Sequence, residues 1–95
     1  MWARVARFEG DPRTVDATTE EIKGFAASSE LPPELRGARM LVLVDRQSGA
    51  RLMIAMFETE EALRKGDAVM NAGNPQNAGK RTSVEFFELA GDIAL

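Results

Sequence analysis

Met40-Leu41-Val42-Leu43-Val44-Asp45-Arg46-Gln47-Ser48-Gly49-Ala50-Arg51-Leu52-Met53-Ile54-Ala55-Met56-Phe57 decides the fold of this chain. Two short apolar runs, Met40 to Val44 and Leu52 to Phe57, flank Gln47-Ser48-Gly49, where Gly49 can take positive φ and close a tight hairpin. Successive strand side chains point to opposite faces. Leu52, Ile54 and Met56 therefore share one face of their strand, and Met53, Ala55 and Phe57 the other. A sheet built on this hairpin is greasy on both sides and needs cover on both.

Outward from the hairpin, Gly37 opens a strand over Ala38 to Asp45, and Arg51 to Phe57 forms its partner. Thr59-Glu60-Glu61 then caps a helix, the acids sitting at its positive end. The stripe of that helix is Ala62, Leu63, Gly66, Val69 and Met70. A glycine in mid-helix costs about 1 kcal/mol relative to alanine, so close packing on the sheet is the use expected of Gly66. Residues 71–80 read as a polar connection and a candidate lid, and Thr82 to Leu89 as the last strand. On the N-terminal side, Trp2 to Phe8 reads as the first strand. The first helix has two start signals, Asp11-Pro12 and a capping box at Thr18-Thr19-Glu20-Glu21. The spacing predicts helix over 18–29, with Ile22, Phe25, Ala26 and Ser29 as its stripe and Pro32-Pro33 as its stop.

Strand, helix, strand, strand, helix, strand is the order of the ferredoxin-like α+β fold, βαββαβ. It implies one domain over 1–95, a four-stranded antiparallel sheet and two helices on one face. The other face then exposes Leu52, Ile54, Met56 and their neighbours, an apolar patch larger than monomers normally leave in water. Burying each such side chain contributes roughly 1.5–3 kcal/mol, against about 5–15 kcal/mol for a whole small domain. A homodimer with the sheets packed face to face is the expected remedy.

The 95 residues contain no Cys, His or Tyr and carry a net charge of −3. Disulfides, thiolate nucleophiles, Cys- or His-ligated metals and the usual neutral-pH general base are excluded together. The 12 basic residues are scattered, which argues against nucleic acid. Apolar runs fall far short of the ~20 residues that span a bilayer. Met1-Trp2 leads into a strand with no secretory pattern, so the expected location is cytoplasmic.

Element order, the stretch Leu43 to Arg51 and the stretch Met56-Phe57-Glu58-Thr59-Glu60-Glu61-Ala62-Leu63 together resemble the dimeric α/β-barrel superfamily, which includes antibiotic-biosynthesis-type monooxygenases. The resemblance implies sheets packed across a two-fold axis and a pocket between sheet and helices. Haem-degrading members use an Asn on the first strand, a Trp at the end of the third and a His on the second helix. Here no Asn lies between Trp2 and Phe8, Phe57 stands for the Trp, and Asp67 or Ala68 falls near the His position. Haem degradation is not expected. Quinone-oxidising members of the family use polar and aromatic pocket residues, of which Tyr and the Trp are missing here.

Arg4, Met53, Phe57, Met70 and Asn71 form the candidate ligand set. Met53, Phe57 and Met70 either line a small apolar pocket or simply fill the core. Arg4 is either an anion anchor in that pocket or a strand arginine that snorkels to the rim or pairs with Glu85 or Glu88. Trp2 reads as a strand-end aromatic at the dimer seam. Glu58, Glu60 and Glu61 read as helix-capping acids and not as a metal site. The expectation is therefore a homodimer, without metal or cofactor, whose role is structural, regulatory or the binding of a small hydrophobic molecule between sheet and helices. The alternative is a cofactor-independent monooxygenase or isomerase acting on an aromatic or polyketide-like substrate, although the missing residue types weigh against an enzyme. Pairing with a catalytically richer paralogue is a third reading.

Overall fold

Strands and helices alternate as β1 (Trp2–Glu9), α1 (Val15–Ala26), β2 (Arg39–Val44), β3 (Ala50–Phe57), α2 (Glu60–Met70) and β4 (Lys80–Glu88) in the computed structural model, which describes residues 1–95. Short 3-10 turns at Pro12–Thr14 and Pro33–Leu35 precede α1 and β2. The strands form one antiparallel sheet in the order β2-β3-β1-β4. This is the ferredoxin-like fold: each helical crossover skips one strand and returns the chain to the far side of it.

The hairpin closes as its residues dictate. Asp45 Oδ1 accepts from the backbone N–H groups of Gln47 and Ser48, which holds its carboxyl below the usual carboxylate range. Gly49 takes φ +82, and a Cβ there would collide with the Gly10 carbonyl. Along β3 the side chains alternate between buried and half-buried. Arg51, Met53, Ala55 and Phe57 point to the helices, while Leu52, Ile54 and Met56 point away.

The core is one-sided. Ala6, Phe8, Met53 and Ala78 form one cluster, with Ile22, Met40 and Val84 packed against it. Ala55, Phe57 and Leu63 form the other, joined by Trp2, Leu35, Met40, Met70 and Phe86. Thr59 caps α2 through its side chain, which accepts from Ala62 N at 3.0 Å, and Leu63 and Gly66 are its buried residues. Gly66 is needed for contact: a Cβ there would lie 2.5 Å from Phe57 Cζ.

Three local expectations are corrected. First, α1 begins at Val15, because Asp11 and Pro12 supply the start, with Asp11 accepting from Arg13 N. Thr18 is not a cap but a fully buried residue whose hydroxyl donates to backbone carbonyls. The inward stripe becomes Val15, Thr18 and Ile22; Phe25 is 48% exposed, and Ala26 and Ser29 are exposed. Second, α1 ends at Ala26, well before the prolines, where the Ser28 hydroxyl accepts from Glu30 N and offers the backbone a turn. Third, Trp2 packs under α2 beside the second core cluster and not on the open face.

Candidate functional site

Arg4 stands on the helix-facing side of β1, opposite Ala55 on β3 and Phe86 on β4. It is only 4% exposed. A guanidinium so placed requires hydrogen-bonding partners, and α2 supplies two. Arg4 Nε donates to Asp67 Oδ1 at 2.8 Å, and Arg4 Nη2 donates to Asn71 Oδ1 at 3.2 Å. Asp67 and Asn71 lie four residues apart, on one face of α2, and Asn71 Nδ2 donates back to Asp67 Oδ2 at 3.1 Å. Arg81 completes the group, its Nη1 donating to the same Asn71 Oδ1 at 2.7 Å.

The expected partners of Arg4 are thus replaced. Glu85 lies opposite Val5, on the other face of the sheet, and Glu88 lies opposite Trp2. Of the candidate set, the fold brings Arg4 and Asn71 into contact, with Phe57 and Met70 in the adjoining apolar cluster. Met53 belongs to the other cluster, beside Ala6 and Phe8.

Arg81 was not a sequence candidate. Its place depends on the register shift between Arg7 and Phe8, which sets Arg81 opposite the helix-facing Phe8. No sequence signal marks that bulge. Asp67 and Asn71, at helical spacing, were legible as neighbours but not as partners of Arg4.

A second polar centre lies at the other end of the helix–sheet layer. Arg51 is 1% exposed, with no carboxylate among its hydrogen-bond partners. Its Nε donates to Gly49 O, its Nη1 to Thr18 Oγ1 at 2.7 Å and Asn77 O at 2.9 Å, and its Nη2 to Asp11 O. The connection before β4 is thereby pinned, and Glu21 adds to this by accepting from the backbone N–H of Gln76 and Asn77. Ala78 is fully buried. Residues 76–78 are thus a clamp joining α1, β3 and β4.

The acids at the start of α2 pair locally, Glu60 with Arg64 at 2.7 Å and Glu61 with Lys65 at 3.1 Å. A hollow of about 590 Å³ lies over that outer surface of α2, lined by Glu60, Glu61, Arg64, Lys65 and Ala68. Another of about 240 Å³ lies at the hairpin end of the sheet, beside Arg7, Leu43 and Leu52. Both are away from the Arg4 cluster. No helix is long and apolar enough to cross a membrane.

No protein-family model and no curated protein sequence matches the chain. Among solved structures, the fold is shared with a "putative Antibiotic biosynthesis monooxygenase" from Chloroflexus aurantiacus J-10-fl, over 98% of this chain and 96% of that one. The TM-score is 0.59 at 14% identity, so the likeness is one of fold. It agrees with the resemblance carried by the hairpin and the capped second helix.

Proposed function

We propose that this chain works as a homodimer, open sheet face against open sheet face, and that each subunit binds a small hydrophobic molecule between its sheet and helices. One observation carries the reading. Leu41, Leu43 and Phe87 are 40%, 51% and 49% exposed, and they stand in register with Ala3, Val5, Leu52, Ile54 and Met56 on the side of the sheet that no helix covers. The chain's own tail leaves this face bare, since Ile93 is 80% exposed and Leu95 is fully exposed. A second copy suits the face because the charges on its edge strands are of opposite sign. Arg39 lies on β2 and Glu85 on β4, and a two-fold axis along the strands lays each edge over the other. Support for the ligand is the set of half-buried apolar side chains, Trp2, Met70 and Phe86, packed round the Ala55–Phe57–Leu63 cluster near a buried arginine. Anything that binds only the native state raises its melting temperature, so a thermal-shift screen of small aromatic and aliphatic compounds addresses the ligand.

The second reading is a cofactor-independent monooxygenase or isomerase acting on an aromatic or polyketide-like substrate. It is favoured by the fold shared with the Chloroflexus protein and by Asp67, a carboxylate held against Arg4 beside the apolar cluster. Light scattering at micromolar concentration tests the assembly. The expected mass is twice 10.4 kDa, and Ile54→Glu should halve it while leaving the far-UV dichroism unchanged. A wild-type monomer under those conditions rules the reading out.

A further inference from the structure

Arg4 is buried, yet one of its nitrogens is unused. Its Nε and Nη2 have acceptors in Asp67 and Asn71, whereas Nη1 makes no hydrogen bond within the chain. No sealed side-chain nitrogen or oxygen in the protein lacks a partner, so Nη1 must reach solvent through the surface of an otherwise covered residue. Arg81 presents the second unmet donor set. It forms no ion pair, and its one side-chain hydrogen bond goes to Asn71 Oδ1. Asn71 therefore acts as a crossbeam: its single oxygen accepts from both guanidinium groups and holds them as neighbours.

The charges decide what fits. Two arginines against the one carboxylate of Asp67 leave the cluster with a single net positive charge. A monoanion balances it. A phosphate dianion would leave negative charge beside Asp67 in a partly buried site, which is costly. Met70, Trp2 and Phe86 are only half-buried and suit the body of the same molecule; the Arg64 guanidinium lies 5.7 Å from the Phe86 ring centroid but its charge is paired with Glu60.

We propose that Arg4 Nη1 and Arg81 form the polar end of the ligand site and take the carboxylate of an apolar organic acid. This rests on the ligand-binding reading above and names its substrate class. The carboxylate oxygens accept from both guanidinium groups, charge-assisted hydrogen bonds that are short and strong. The apolar body lies against Met70, Phe86 and Trp2.

Three probes separate the outcomes: 2-naphthoate, its neutral counterpart 2-naphthylmethanol, and inorganic phosphate. Each is titrated into the full chain and followed by backbone amide NMR. The expected result is that naphthoate binds about tenfold or more tightly than the alcohol, as charge-assisted contacts require, with shifts centred on Arg4, Asn71 and Arg81. Arg81→Gln should remove that advantage and leave alcohol binding unchanged. Arg81→Met, which removes the same charge with a different side chain, should do the same and stands in if the first variant is poorly folded. Equal binding of naphthoate and alcohol overturns the carboxylate assignment while sparing the apolar site. Binding of neither overturns both. Tighter binding of phosphate than of naphthoate refutes the organic acid in favour of an inorganic anion.

Discussion

Gly66→Ala is the sharpest test of how α2 meets the sheet, because local and tertiary effects predict opposite signs. In an isolated helix the change stabilises by about 0.5–1 kcal/mol, since alanine loses less conformational freedom than glycine. In this protein the added methyl falls 2.5 Å from Phe57 Cζ, 2.6 Å from Cε1 and 3.5 Å from Leu35 Cδ2. Phe57 cannot swing aside freely: it is 4% exposed, sits on an internal strand and packs with Ala55 and Leu63. Overpacking of this kind costs about 1–3 kcal/mol, so the net expectation is a loss of about 1–2 kcal/mol. For a domain of this size each kcal/mol corresponds to a fall of about 4–8 °C in Tm. Urea denaturation at one fixed protein concentration measures it, because assembly would otherwise shift the midpoint. Phe57→Leu removes the ring atoms in question, so in that background Gly66→Ala should turn stabilising. The coupling in the double-mutant cycle should be about 2 kcal/mol. If Gly66→Ala stabilises the wild-type chain, or if the cycle is additive, the contact argument is wrong.

Arg51→Met keeps the bulk but removes the guanidinium hydrogen bonds to Thr18 Oγ1, Gly49 O, Asp11 O and Asn77 O, whose carbonyls keep only their bonds from Gly10 N, Thr14 N and the Thr14 and Thr18 hydroxyls; a loss of about 2–3 kcal/mol is expected, with faster amide exchange at Ala78, and a neutral result would contradict the clamp. Thr59→Ala removes the α2 cap and should cost about 1 kcal/mol in the same urea assay. Asp11 is held at a pKa of about 2, below the ordinary 3.8, chiefly by its hydrogen bonds from the Arg13 side chain and backbone. Its contribution to stability is therefore present above pH 3.8 and is lost as pH falls through about 2. Carboxyl NMR should find that midpoint, and Arg13→Gln should raise it; a wild-type midpoint near 3.8 would contradict the pairing.

Features set by near neighbours are legible in the residues themselves. Asp45 and Gly49 make the hairpin, Thr59 with Glu60 and Glu61 starts α2, and the alternation along β3 sorts its residues into two faces. Each is a matter of spacing over a few residues, and helix and strand periods translate spacing directly into direction. The start of α1 is harder to read because two cap signals compete there. Burial of Thr18 against Arg51 and Asn77 decides for the earlier one, and those contacts span 33 and 59 residues.

The polar cluster depends on distant partners throughout. Arg4 meets Asp67 across 63 residues and Arg51 meets Thr18 across 33, and a one-residue register shift in β1 against β4 brings Arg81 to Asn71. Sequence alone determined the order of elements and the oil on both faces of the sheet, because those follow from local periodicity. Which arginine is buried, what it holds and which of its nitrogens stays free were decided only by tertiary structure, because strand register and helix crossing choose partners that no local spacing encodes.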